Sequence, residues 1–312
     1  MPSGNFWFIL KTQLMISFLL EKTKTRDGLT LEGILAKPKS GNKTALLWVH
    51  GLTGSFHSGL PRVWELARSC TRNGIAFASF NTRGSAVAEK FRKGKEKILA
   101  GGGFEKFESC VYDIAAILNL LKKRGYRRVF LVGHSTGANK SLYYVYKKND
   151  RRIKGLALVG PMSDLVGQKK ALGKKFEPVL KEVRKISRIK KRANLCLPQE
   201  IFLKKGLPVL IISAQRYLSL YTAGSREDVF PYSNSRAKWK ELKSVKIPVL
   251  TVVGSKDEYL DRSAGELTKI FRKNAVNSRR FTAAIIKGAG HGFLKKEKDL
   301  AEVLVRWILG VK

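Results

Sequence analysis

Residues 133–137, Gly133-His134-Ser135-Thr136-Gly137, place one hydroxyl where it can act as a nucleophile. Arg128-Val129-Phe130-Leu131-Val132 before them is a buried-strand pattern, and a helical pattern opens at Asn139. A strand that passes into a helix within so few residues must turn sharply, and glycine on either side leaves room for the turn. The serine side chain then stands above the end of the sheet, within reach of another residue. In a chain with 28 glycines the five-residue motif arises readily by chance. Its weight comes from the strand before it and the helix after it.

A serine hydroxyl is a weak nucleophile at neutral pH and needs a neighbouring base to take its proton as it attacks. Four histidines are available. His134 sits inside the turn with its side chain on the wrong side of it, His50 lies in a loop that has to line the site, and His57 has no partner in sequence and reads as a surface or cleft-wall residue. His291 is the candidate base, in the glycine-rich loop Gly288-Ala289-Gly290-His291-Gly292-Phe293 between the last strand and the last helix. Such a base needs a carboxylate to hold its tautomer and stabilise the imidazolium. Asp257 follows Gly254-Ser255-Lys256 at the carboxyl end of a strand, where a side chain points into a cleft. Asp261, further along that loop, ranks second and Asp228 third, while Glu258 is expected to face away from its neighbour.

Negative charge developing on an attacked carbonyl oxygen needs donors aimed at it, and one lost donor costs roughly 3 kcal/mol. Two backbone N–H groups are candidates for such an oxyanion hole: that of Thr136, directly after the serine, and that of Leu52, directly after His50-Gly51. As backbone donors, they make little demand on their own side chains.

These residues must be brought together by the elements between them. Residues 15–21 read as a first strand, and residues 29–38, after the turn signal Arg26-Asp27-Gly28, alternate as a hairpin strand does. Residues 44–49 are a short apolar run ending at His50-Gly51, the pattern of a strand buried in a parallel sheet. Residues 61–72 carry Val63, Leu66 and Ala67 at helical spacing and stop at Asn73-Gly74. A strand at 75–80 is followed by a basic, irregular stretch to Gly103, and then Phe107, Val111, Ile114, Leu118 and Leu121 mark an amphipathic helix. Strand 129–132, helix 139–146 and strand 153–159 follow. Strands alternating with helices imply an α/β fold, a mostly parallel sheet with right-handed crossovers and helices on both faces.

Between Gly160 and Lys246 the alternation is lost, with a basic run at 169–192 and an apolar piece at 207–212. The pattern resumes as strand 247–254, helix 264–271, strand 281–286 and helix 300–309. The expected organisation is an extension at 1–14, a core formed by 15–163 and 246–312, and a cap inserted at 164–245.

The chain has 312 residues, 44% hydrophobic, with 16 Phe and 5 Trp, enough for one large core. Cys70, Cys110 and Cys196 are an odd number without paired spacing, so neither a disulfide framework nor a metal site is suggested and no cofactor is expected. The apolar start, residues 6–20, is interrupted by Lys11 and Gln13 and lacks the features of a signal peptide or a membrane span. A reducing cytoplasm is the expected location. A net charge of +37 attracts polyanions, yet no nucleic-acid-binding module is evident, and the charge reads as solvated helix faces. Weak association of the basic cap with anionic surfaces is a further expectation.

His50-Gly51-Leu52-Thr53-Gly54, Gly133-His134-Ser135-Thr136-Gly137, Gly254-Ser255-Lys256-Asp257 and Gly290-His291-Gly292-Phe293, with candidate residues in the chain order Ser135, Asp257, His291, together resemble the α/β-hydrolase superfamily. The resemblance runs from about Met15 to the end and is closest to the dienelactone-hydrolase-like and feruloyl-esterase-like cytosolic esterases, through the H-G-x-T-G loop and a cap after the sixth strand. It implies metal-free cleavage of a small-molecule carboxylic ester through an acyl-enzyme. Two departures stand out: the nucleophile is serine where dienelactone hydrolases use cysteine, and the insertion is longer. The same triad also serves lactonases, thioesterases and acyltransferases, and a non-catalytic polyanion- or membrane-surface-binding protein on this scaffold is the further alternative. Cap residues Phe202, Leu203, Tyr217, Leu218, Leu220, Tyr221, Phe230 and Tyr232 either line an acyl or aromatic pocket or pack the cap onto the body.

Overall fold

The computed structural model describes residues 16–40, 43–189, 191–198 and 211–311. The expected extension at 1–14, the start of the first strand at Met15, Phe202, Leu203 and most of the apolar piece at 207–212 lie outside the described residues. In chain order the core elements are β1 (Phe18–Lys24), β2 (Thr30–Ala36), β3 (Thr44–Val49), α1 (Leu60–Arg72), β4 (Ala76–Phe80), β5 (Glu89–Lys93), β6 (Glu96–Ala100), α2 (Cys110–Lys123), β7 (Arg128–His134), α3 (Thr136–Lys148) and β8 (Ile153–Val159). The insertion then contributes α4 (Asp164–Leu172), α5 (Phe176–Arg188), α6 (Ala214–Tyr221) and the short α7 (Lys240–Lys243). The core resumes with β9 (Val249–Gly254), α8 (Ala264–Asn274), β10 (Phe281–Ile286) and α9 (Glu297–Leu309).

Among the described residues the main sheet has eight strands in the order β1-β2-β4-β3-β7-β8-β9-β10. β1 and β2 form the antiparallel edge, and β4, β3, β7, β8, β9 and β10 run parallel. The inner strands are mostly apolar because both faces are covered, and their side chains alternate between two cores. Ala45, Leu47 and Val49 of β3 face α2, α3 and α8, whereas Leu46 and Trp48 face α1 and α9. Because these strands are parallel, the loops leaving β3, β7, β8, β9 and β10 emerge at one end of the sheet. That shared end is where the candidate residues converge.

Three sequence expectations are corrected. The first strand lies later than 15–21: its pairing runs from Phe18↔Ala36 to Lys24↔Thr30, and Leu20 points outward with 82% exposure. The stretch expected to be irregular contains the β5–β6 hairpin, closed at Gly94 (φ 65°) with Lys93 opposite Glu96. Its alternation is carried by few apolar residues, Phe91 and Ala100 buried among charges, which hid it from a hydrophobic-run reading. The segment at 164–245 also divides. Leu165, Leu172, Phe176, Leu180, Val183 and Tyr217 form a cluster of their own among α4, α5 and α6, but Val229, Phe230, Tyr232, Trp239, Leu242 and Val245 belong to the main core. Phe230 and Trp239 set their rings against Phe271 of α8 at 5.2 and 5.5 Å. The basic run over α5 is a solvated face: its apolar residues Phe176, Leu180 and Val183 turn inward at i, i+4, i+7. Among the described residues no helix is long and apolar enough to cross a membrane.

The segment carrying α4, α5 and α6 is tied to the rest of the fold by a buried charge network. Arg216 of α6 donates from Nε to the Gly102 carbonyl (2.9 Å), reaches Glu105 Oε1 and Glu227 Oε1 through Nη2 (3.1 and 3.0 Å), and pairs with Glu227 Oε2 through Nη1. Lys140 Nζ of α3 lies 2.8 Å from Glu105 Oε1, and all four charged side chains are buried. Burial disfavours each charge, and the opposite charges and hydrogen bonds offset it. Removing the guanidinium leaves Glu227 buried and uncompensated. Arg216→Leu is therefore expected to lower the unfolding free energy by ~3–5 kcal/mol in urea titration; a loss below ~1 kcal/mol contradicts this role.

Candidate active site

Ser135 links the last residue of β7 to the first of α3 with φ 55° and ψ −128°, a backbone region that residues with a side chain rarely enter. Its N–H donates to the Val159 carbonyl of β8 (2.9 Å), and its own carbonyl accepts from the Ala138 N–H (2.8 Å). Gly137 allows the first turn of α3 to lie against the carbonyls of Val49 and His50, and a Cβ there would collide with both. The turn predicted from the sequence is present, with the serine at its apex and α3 opening three residues before the expected Asn139.

Asp257, at the carboxyl end of β9, accepts a hydrogen bond from His291 Nδ1 on Oδ2 (2.9 Å) and from the Tyr259 N–H on Oδ1 (3.1 Å). Both Asp257 and His291 are buried. With Nδ1 donating, Nε2 is the ring's acceptor; it is buried without a hydrogen-bond partner. Gly160, after β8, supports the pair from below in a left-handed conformation (φ 55°), where a Cβ would come within 3.2 Å of His291 Cε1.

The loop carrying His291 is held at successive backbone groups by side chains. Glu258 Oε2 accepts the His291 N–H (2.9 Å), His134 Nε2 bonds the His291 carbonyl (2.9 Å), and Arg62 Nη1 donates to the Gly292 carbonyl (2.7 Å). His134 also stacks on Trp48 and lies 5.1 Å from the His291 ring, centroid to centroid. Burial, with Arg62 and His291 nearby, holds the His134 pKa well below the ordinary histidine value, so this ring stays neutral and donates to the carbonyl. Burial likewise lowers the Arg62 guanidinium, to about 10.

His50 is structural. Its Nε2 accepts from the Thr82 N–H (3.2 Å) and lies 3.0 Å from Ser85 Oγ, while Nδ1 bonds the Gly51 carbonyl (2.8 Å). Burial and the charge of Lys140 depress its pKa to about 4. These bonds, with the Thr53↔Ser85 bridge and the Gly54 N–H to Gly51 carbonyl bond (3.1 Å), fix the loop that carries Leu52. The Leu52 side chain packs against the cluster formed by α4, α5 and α6, so it does more than fill a position. Thr136 is buried as the first residue of α3, where backbone N–H groups lack an intrahelical acceptor.

Ser135, His291, Leu52, His50, His134 and Arg62 line one cavity of about 520 Å³, closed on the side of α4 and α6 by Asp164, Gly167, Gln168, Ala171 and Tyr221. Asp261 is elsewhere, paired with Arg262, and Asp228 accepts the Gly224 N–H (2.9 Å) within the insertion. His57 is exposed beside Ser55 and Phe56. Glu258 does not face away; it bonds the very loop that carries His291. Arg62, His134, Glu258 and Asp164 were missed as site residues, although two left a trace in the sequence. Arg62 is a charge one turn from Leu66 on the buried stripe of α1, and the period of β7 sets His134 on the same face as Phe130 and Val132. Among the described residues there is no group of three or more metal-binding side chains.

The chain is similar over nearly its whole length to three solved structures. These are the siderophore hydrolase EstB of Aspergillus fumigatus (17% identity, TM-score 0.67, covering 96% of this chain and 98% of that one); Est1E of Butyrivibrio proteoclasticus with ferulic acid bound (17%, 0.60, 93% and 98%); and the monoacylglycerol lipase of Paleococcus ferrophilus (20%, 0.59, 90% and 99%). At these identities the likeness establishes the fold, that of the α/β-hydrolases. No curated protein matches the sequence. Residues 35–311 match the family described as protein of unknown function DUF1749, and the chain belongs to that family.

Proposed function

We propose that the protein is a serine hydrolase that cleaves carboxylic esters through an acyl-enzyme intermediate. One observation carries this reading. His291 has Nδ1 held by Asp257 and Nε2 buried and unpartnered, in the wall of the cavity that also presents Ser135. An imidazole held through Nδ1 by a carboxylate, with Nε2 unpartnered in the cavity wall that also presents a serine on a strained turn, is placed to take that serine's proton.

In the reaction Ser135 Oγ bonds to the ester carbonyl carbon as its proton passes to His291 Nε2. The carbonyl electron pair moves onto oxygen, where the N–H groups of Leu52 and Thr136 receive the charge. Collapse breaks the bond to the alcohol oxygen, which takes the proton from Nε2. A water molecule then attacks the acyl-serine with His291 again accepting a proton, and release of the acid returns that proton to Ser135. Asp257 keeps Nδ1 as the donor and stabilises the imidazolium in both halves. The names of the similar structures, an esterase with ferulic acid, a siderophore hydrolase and a monoacylglycerol lipase, agree with ester cleavage as the reaction class.

Ser135→Ala is expected to reduce hydrolysis of p-nitrophenyl butyrate at least ~1000-fold and Asp257→Asn at least ~100-fold, both with unchanged circular dichroism. Undiminished turnover in Ser135→Ala contradicts the proposal. For the same neutral ester kcat/KM is expected to rise with pH from acid to neutral as the base loses its proton. His50 and His134 are held neutral by burial and do not add to this rise. A profile flat from about pH 5 to about pH 8 argues against a histidine base.

A further inference from the structure

The cap wall of the cavity is one face of α4. Asp164, Gly167, Gln168 and Ala171 follow the i, i+3, i+4, i+7 spacing of a helix stripe, and all four line the space in front of Ser135. Two of them are small, and the Gln168 amide donates to the Tyr217 hydroxyl (3.3 Å). Asp164 is different. Its Oδ2 is buried and has no hydrogen-bond partner. A buried acceptor without a donor is a standing cost of about 1–3 kcal/mol, more for a charged group, which a ligand that donates to it removes.

The surroundings say which donor. Arg62, a cation in the wall of the same cavity, donates from Nη1 to the Gly292 carbonyl (2.7 Å) and from Nη2 to the Ser58 carbonyl (3.4 Å), while its Nε is buried without a partner. Burial pushes the Asp164 carboxyl up to about 7, with Glu227 and Asp228 adding to the rise and Arg216 opposing it. The phenols of Tyr221 and Tyr232 also face it and are themselves raised by burial. A cation placed in the cavity therefore holds the carboxylate ionised. An ammonium is a compact point donor that a single partnerless carboxylate oxygen can receive.

We infer that the cavity takes esters bearing a primary ammonium group and that Asp164 is the side chain that recognises it. The inference rests on Ser135 and His291 being the hydrolytic pair. It is tested with the full-length protein by comparing kcat/KM for p-nitrophenyl esters of ω-amino acids with those of straight-chain acids of matched length. Aminoalkyl and alkyl butyrates are compared in the same way for the alcohol side. In at least one series the ammonium ester is expected to be preferred about tenfold or more. The preference should grow between about pH 6 and about pH 8 as Asp164 ionises while the amine stays protonated. Asp164→Asn should bring the ratio towards one. Should that variant not fold, competition in the wild type decides: n-butylammonium inhibits hydrolysis of p-nitrophenyl butyrate and N-butylacetamide does not. No preference in either series, a preference that survives Asp164→Asn, or equal inhibition by the two competitors overturns the assignment of Asp164 while leaving the hydrolase reading intact. A wild-type protein that hydrolyses none of these esters overturns both.

Discussion

The backbone at Ser135 is the constraint on which the site depends. A non-glycine residue at φ 55° and ψ −128° costs on the order of 1–3 kcal/mol, and it persists only where its surroundings leave no alternative. Here β7 is clamped between β3 and β8, the Ser135 N–H is consumed by Val159, and α3 is pressed through Gly137 against the loop that follows β3. The strand order that makes β3, β7 and β8 neighbours thus supplies both the turn and the wall that faces it. Parallel pairing through β9 and β10 brings Asp257 and His291 to the same end.

A second constraint concerns how His291 is held. The glycines around it suggest a loop free to swing, yet the N–H, the carbonyl, the next carbonyl and the ring Nδ1 each have a side-chain partner. The missing side chain at Gly290 leaves room for Glu258, whose Oε2 lies 3.1 Å from where a Cβ would stand, and the bonds from Glu258, His134, Arg62 and Asp257 fix the ring. His134 can serve here only as a neutral donor. Burial against Trp48 and the nearby Arg62 charge keep it so. On the opposite side, Arg216 of α6 reaches Glu105 and the Gly102 carbonyl across the boundary of the inserted segment, with Glu227 and Lys140 completing a buried charge network.

Much of this architecture was legible in the sequence, because the signals were long or chemically specific. The apolar runs of β3, β4, β7, β8 and β9 can be read directly since both faces of a parallel sheet are buried, and Ser135, Asp257 and His291 each sit at a strand's carboxyl end. What was not legible is instructive. The β5–β6 hairpin hides because its strands are mostly charged. The end of the insertion reads as cap, yet Phe230 and Trp239 pack on Phe271, a choice made by tertiary contact that no local pattern encodes. Glu258, Arg62 and His134 support the site through long-range hydrogen bonds to backbone, and partners separated by up to 230 positions leave no spacing to recognise. Asp164 becomes conspicuous only once α4 is seen to face the cavity.

The central claim is that Ser135 is a nucleophile activated by His291. Treating the folded protein with a fluorophosphonate and mapping the adduct by peptide mass spectrometry tests it most directly. The account predicts stoichiometric phosphonylation of Ser135 that is lost in His291→Ala. A folded protein that takes up no label, or that carries it on another residue, contradicts the account.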